Sequence, residues 1–272
     1  MHQTNVNNKI QYNSHIDKSE IPTCEIIGVH IAAINMKWLM EFLANNLRGT
    51  LENILAGQYI CVCNVHATVM ANEDSEYRRI QNESLMSIPD GGPLSTIGRR
   101  RGHKNMERTT GPDLMEEVFK QSVENEYKHY FYGSTEDTLK KMNHILQRNY
   151  PGIQIVGMYS PPFSLLEPKK EEEIIKEINR TNPDFIWVGL GAPKQERWMA
   201  SQQGKVNGLM IGVGAGFDYV ATNIKRAPIW MQKYNMEWFY RLIQEPKRLF
   251  KRYVVTNIKF IYYVILDSFS KG

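Results

Sequence analysis

The 272-residue chain contains no run of 18 or more apolar residues, so no membrane-spanning helix is expected. Its first residues, Met-His-Gln-Thr-Asn-Val-Asn-Asn, lack the apolar centre of a signal peptide, and the expected compartment is the cytoplasm. Cysteine is scarce: Cys24, Cys61 and Cys63 form no C-x-x-C pair and no pairable framework. Cys61 and Cys63 alternate within an apolar run and read as buried free thiols. No H-E-x-x-H, G-x-S-x-G or Walker loop occurs, and no His/Cys/Asp grouping has metal-ligand spacing. A D-x-D pair is also missing, so nothing in the pattern holds a divalent cation on a diphosphate. The expectation is therefore no metal and no cofactor. A formal net charge of +4 is too mild to call for a nucleic-acid partner.

What the chain does contain is an alternation of β-favouring runs and helical periods. Residues 1–22 are polar and Asn-rich and are expected to form a flexible extension. Strands are predicted at Glu25–Val29, Tyr59–Cys63, Leu85–Ile88, Tyr127–Tyr132, Ile153–Met158, Phe185–Val188 and Leu209–Ile211. Asn35 looks like the N-cap of a helix carrying Trp38, Leu39, Phe42, Leu43 and Leu47 on its apolar positions. Further helices are expected to open at Gly111 and to run over Glu136–Arg148 and Glu171–Asn179. This order predicts an α/β fold, a Rossmann-like and largely parallel sheet flanked by helices, over residues 23–224.

From about Lys225 the composition changes. Trp230, Trp238, Phe239 and Tyr240 mix with Arg241, Lys247, Arg248, Lys251 and Arg252 ahead of an apolar helical stretch. Residues 225–272 are thus a helical appendage, either packed on the core with a solvated basic face or lying at a membrane surface.

The most distinctive segment runs from Asn182 to Asp218. Two short apolar runs each give way to glycines, at Gly189-Leu-Gly191-Ala192-Pro and at Gly212-Val-Gly214-Ala-Gly. Such loops at the carboxyl ends of buried strands bring backbone N–H groups close to a phosphate or sugar. Their spacing is not the G-x-G-x-x-G of a dinucleotide fingerprint. Asp90, in Pro-Asp-Gly-Gly, ends another strand; it is either a general base or a turn former. Asn64 ends a strand too, and either orients a hydroxyl or caps the next helix. Arg99-Arg100-Arg101 is a solvated helix end or a phosphate contact, and His66 reads as structural.

Taken together in order, Pro89-Asp90-Gly91, Gly111-Pro-Asp-Leu, Phe131-Tyr-Gly-Ser, Gly189-Leu-Gly-Ala-Pro-Lys-Gln-Glu, Gly212-Val-Gly-Ala-Gly-Phe-Asp and Glu237-Trp-Phe-Tyr-Arg-Leu-Ile-Gln-Glu-Pro resemble the WecG/TagA/CpsF glycosyltransferases. That resemblance implies metal-independent, inverting transfer from a UDP-sugar to an undecaprenyl-diphosphate-linked acceptor at the inner face of the plasma membrane. N-acetylmannosamine, or its uronic acid, is the sugar the resemblance suggests, for teichoic acid or another surface polysaccharide. By the same resemblance, Asp90 is the base, Asn64 its substrate-orienting neighbour and Gln195 the glutamine that faces the sugar. Gly133, Ser134, Gly189, Gly191, Ala192, Gly212, Gly214, Asp218 and Arg108 would line the substrate pocket. Arg241, Arg248 and Arg252 would approach the acceptor's diphosphate. Val62 stands where many members carry threonine, which leaves the donor open. Self-association is left open as well. Two rival classes share parts of the pattern, a Rossmann-type oxidoreductase and a non-catalytic nucleotide-sugar-binding module. The first would need a glycine fingerprint in the first βα unit, where only Gly28 is found.

Overall fold

The computed structural model describes residues 18–47, 53–162 and 167–270. Eight strands, β1 (Thr23–Ile26), β2 (Val29–Ala32), β3 (Tyr59–Cys63), β4 (Met86–Pro89), β5 (Lys128–Gly133), β6 (Gln154–Tyr159), β7 (Phe185–Gly189) and β8 (Leu209–Gly212), form one sheet in the order β1-β2-β4-β3-β8-β7-β5-β6. Every pairing is parallel except the β1–β2 hairpin at one edge. The single strand expected at Glu25–Val29 is in fact two. Ile27 (φ 43°) and Gly28 (φ 81°) both take positive φ, which turns the chain back on itself. Ile-Gly is not the Asn-Gly pair that normally announces such a turn, so the apolar run concealed it.

The described residues also form twelve α-helices: α1 (Met36–Leu47), α2 (Val65–Glu73), α3 (Ser75–Glu83), α4 (Gly92–Arg100), α5 (Gly111–Asn125), α6 (Glu136–Asn149), α7 (Pro168–Thr181), α8 (Lys194–Ser201), α9 (Gly216–Val220), α10 (Ile229–Lys233), α11 (Glu237–Gln244) and α12 (Pro246–Ser270). Asn35 caps α1 as its position suggests, its side chain accepting from Trp38 N–H at 2.9 Å. One face of the sheet is covered by α1, α5, α6 and α9, whose Leu39, Leu43, Val118, Phe119, Met142 and Phe217 meet Phe131, Trp187 and Ile211. The other is covered by α2, α3, α7 and α8. Strands buried on both sides can be apolar throughout, which is why β3 reads Tyr-Ile-Cys-Val-Cys with every residue buried. All three cysteines are buried, and Val62 sits in the main core.

One polar group lies deep in that core. Trp187 can only donate, and its Nε1–H meets His129 Nδ1 at 3.1 Å, so His129 carries its proton on Nε2 and gives it to Ser122 Oγ at 2.8 Å. Burial holds this imidazole neutral, with its pKa pushed down to about 3.

The flexible extension expected over residues 1–22 falls mostly outside the described residues. Residues 1–17 are not among them, but Lys18–Glu20 form a 3-10 turn, Ile21 is buried, and Lys18 Nζ donates to the carbonyls of Glu83 and Ser84. At the other end, α12 packs along α2 and anchors Leu249, Thr256 and Phe260 in buried positions. Among the described residues, no helix is long and apolar enough to cross a membrane.

Candidate active site

The register of the parallel strands aligns their carboxyl ends along one edge of the sheet. Cys63 pairs with Pro89, Cys61 and Val188 with Gly212, and Gly133 with Gly189. The segments leaving those strands therefore stand side by side: Asp90, Asn64, the Gly212–Gly216 turn, the Gly189–Pro193 turn and Gly133–Ser134. At about 4.8 Å per strand, these five segments span roughly 19 Å.

Asp90 is fixed by its own backbone, whose N–H donates to Cys63 O at 2.7 Å. The chain can turn sharply behind it because Gly91 takes φ 129°. Asn64 caps the next helix, one of the two roles considered for it. Its Oδ1 accepts from Ala67 N–H at 3.1 Å, capping α2, while its side chain also hydrogen-bonds the Asp90 carboxyl. Burial is the largest influence on that carboxyl and pushes its pKa up to about 7. Arg108 pulls it back, Glu237 and Asp113 push it further, and the Asn64 bond favours the charged form. A carboxyl poised near neutrality, at a strand end with a hydrogen-bonding neighbour, suits proton abstraction from a hydroxyl.

Around Asp90 lies a charge cluster that spacing alone does not reveal. Arg108 pairs with Glu237 and stands 3.8 Å from Asp113; Arg226 pairs with Asp113 at 2.7 Å and with Glu237 at 3.3 Å. Glu237 and Arg226 come from the C-terminal segment, and Asn235 from the same segment lies so close to Gly92 that a Cβ there would meet its Cγ at 2.5 Å. The appendage thus closes over Asp90. Its only sequence-level trace is the pairing of acidic and basic residues far apart in the chain.

At Gly133 and Gly189 the strand ends fit together with no room for side chains. A Cβ on Gly133 would stand 2.6 Å from the Gly189 carbonyl carbon, and one on Gly189 would strike the Phe217 ring at 2.7 Å. Gly191 (φ 76°) and Gly214 (φ 52°) adopt backbone that other residues resist. Ser134 also takes positive φ, and its N–H is spent on Gly189 O at 3.1 Å.

A model of the glycosyl transferase WecG/TagA/CpsF family matches residues 24–272. The chain belongs to that family. The N-acetylglucosaminyldiphosphoundecaprenol N-acetyl-beta-D-mannosaminyltransferase of Bacillus subtilis strain 168 is 31% identical over 209 residues, 75% of this chain and 80% of its own length. The enzyme of the same name from Staphylococcus aureus strain MW2 is 28% identical over 234 residues, covering 86% and 89%.

In this glycosyltransferase the three tail arginines divide. Arg248 and Arg252, with Lys251, Lys259 and His66, line an open groove of about 410 Å³ between α2 and α12. That groove begins at the first turn of α2, directly after Asn64, where Thr256 Oγ1 lies 3.3 Å from His66 Nδ1. Burial and the nearby Arg252 both lower the His66 pKa, so the groove's positive charge comes from its lysines and arginines. Arg241 lies elsewhere, stacked over the Tyr219 ring and paired with Glu245. Asp218, on the same short helix as Tyr219, accepts from Asn223 at 3.2 Å.

Gln195 is not a free amide facing open space. It is buried, its Oε1 accepting from Gly191 N–H at 3.1 Å and its Nε2 donating to Glu196 Oε1 at 2.9 Å. Ala192 is exposed at the lip of the same turn, and Gln195 fills the space between the two glycine loops. Among the described residues, no group of three or more His, Cys, Asp or Glu gathers to hold a metal ion.

Proposed function

We propose that the chain transfers N-acetylmannosamine, or a related N-acetylhexosamine or uronic acid, from a UDP-sugar to an undecaprenyl-diphosphate-linked acceptor sugar. The observation that carries this reading is Asp90: a carboxyl with its pKa near 7, beside Asn64, on the sheet edge that also carries the glycine turns and from which the basic α2–α12 groove starts. The names of the relatives supply the transferred sugar and the acceptor.

In the proposed step the acceptor hydroxyl gives its proton to Asp90 as its oxygen attacks the anomeric carbon. The bond from that carbon to the diphosphate breaks, UDP departs with the electron pair, and the configuration inverts. The glycine turns provide close backbone approach for the nucleotide diphosphate. Arg108 and Arg226 lie beside the base and could exchange their present carboxylate partners for phosphate oxygens. No metal is assigned a part in this scheme. The acceptor's diphosphate would enter along the α2–α12 groove, with Arg248 and Arg252 as its partners, while the outer face of the appendage rests on the inner leaflet of the plasma membrane. The product would enter teichoic acid or another surface polysaccharide.

The test is incubation with a panel of UDP-sugars and a lipid-diphosphate-linked N-acetylglucosamine, with products read by mass spectrometry in the presence and absence of EDTA. The reading expects one added N-acetylhexosamine or uronic acid and no effect of the chelator. Inhibition by EDTA that Mg²⁺ or Mn²⁺ reverses would remove the metal-free step. Hydride transfer from NADH, or nucleotide binding without transfer, would move the chain to one of the rival classes.

A further inference from the structure

Glu196 is a buried carboxyl that the transfer chemistry does not use. It follows Gln195 at the start of α8, where it is cut off from solvent. Oε1 accepts from Gln195 Nε2 at 2.9 Å, and the buried Oε2 has no close partner beyond the Tyr77 hydroxyl that faces the carboxyl. Leaving a carboxylate oxygen in that state is costly, so its retention calls for an explanation. Burial raises the Glu196 pKa, while the Gln195 bond, its own backbone N–H and the Tyr77 hydroxyl favour the charged form. The other titratable groups facing it are the thiols of Cys61 and Cys63 on β3.

The bonds around Glu196 continue in both directions. Ser87, on β4 just ahead of Asp90, donates to Gln81 Oε1 at 2.8 Å; Gln81 Nε2 donates to the Tyr77 hydroxyl at 2.9 Å; and Tyr77 faces Glu196. On the far side, Gln195 Oε1 receives the Gly191 N–H. A backbone N–H can bond only to the oxygen end of an amide, and the nitrogen end then has to meet the carboxyl. Gln195 is therefore fixed in one orientation from both ends. Its amide also sets the spacing of the glycine turns, since a Cβ on Gly212 would lie 3.0 Å from Gln195 Nε2 and one on Gly214 3.5 Å from Oε1.

We propose that Glu196, backed by Tyr77, is a positioning residue for the sugar-nucleotide donor: it locks Gln195 so that the Gly191 turn is held against the Gly212–Gly214 turn before the donor arrives. This inference rests on the donor-pocket reading above, and the experiment separates the two. Full-length wild type, Glu196→Gln, Glu196→Ala and Tyr77→Phe are compared by calorimetric binding of UDP, by amide hydrogen exchange at Gly191 in the unliganded protein, and by donor and acceptor KM. Glu196→Ala should weaken UDP binding about tenfold or more, raise donor KM with acceptor KM within about twofold, and speed exchange at Gly191. Tyr77→Phe should move the same quantities by about threefold. Glu196→Gln keeps an acceptor for Gln195 and should stay within about threefold of wild type. Unchanged Gly191 exchange and UDP affinity in a folded Glu196→Ala overturns the proposal, and so does Glu196→Gln as damaging as alanine. Should alanine prevent folding, Tyr77→Phe decides by the same two readouts. A wild type that ignores UDP removes the donor pocket, while exchange at Gly191 still settles the role of Glu196.

Discussion

The sheet core and the C-terminal helices draw on the same residue types and treat them in opposite ways. In the core, Trp187, Phe185 and Phe131 have no solvent exposure and pack ring against ring. In the appendage, Trp230 is 57% exposed, Ile258 64% and Phe269 80%, while only Leu249, Phe260 and a few neighbours turn inward. Much of the seam between tail and core is polar: Lys259 and Tyr263 meet Glu73, Arg101 meets Asp267, and Glu237 meets Arg108. The tail therefore packs on the core through one face, as the first of its two readings has it, and leaves apolar and basic side chains exposed on the other. Apolar surface of this extent, rimmed by lysines and arginines, is uncommon on a protein meant to meet only water. The contrast separates the part that builds stability from the part on which the proposed membrane contact rests.

The sharpest way to break that contrast is to exchange the expected penalties. Trp187→Ala should cost about 3–5 kcal/mol in urea unfolding, through lost packing and an abandoned acceptor on His129. Ile258→Glu combined with Ile265→Glu should leave unfolding within about 0.5 kcal/mol of wild type, because both side chains lie outside the fold. The same pair should weaken sedimentation with anionic vesicles by about tenfold or more, each isoleucine losing about 1.5–3 kcal/mol of burial. Unfolding of the double variant at low denaturant would make the tail a core element and erase the distinction. Smaller still, Lys251→Ala should reduce vesicle binding by up to about 1 kcal/mol, an effect that fades as salt is raised. Salt-independent loss would mean that Lys251 acts by packing.

The parts of the molecule that could be read from sequence are those governed by local pattern. β3, β7 and β8 are apolar runs ended by a polar residue or glycine, and a parallel sheet places whatever follows such runs on one edge. Asp90, Asn64 and the glycine turns were visible for that reason. The β1–β2 turn was hidden because Ile27 occupies a backbone conformation its side chain disfavours. The charge cluster was hidden because Arg108 and Asp113 find Arg226 and Glu237 only after the chain has folded back on itself. Gln195 was named through the resemblance alone, and its burial and its tie to Glu196 depend on α8 packing against α3, which no spacing encodes.

The central claim is that Asp90 takes the acceptor's proton. Its pKa of about 7 means that the ionised base is lost as pH falls, so kcat/KM should decline on the acid side of neutrality. Glu237 raises that pKa, and Glu237→Gln should move the acid limb to lower pH. The most direct measurement is the pH–rate profile of sugar transfer for wild type and Asp90→Asn, with UDP affinity measured alongside. The account predicts that Asp90→Asn loses the acid limb, falls about 10²–10⁴-fold in turnover, and binds UDP almost as before. Turnover within threefold of wild type, with the limb still in place, would contradict it and leave Asp90 as a turn residue.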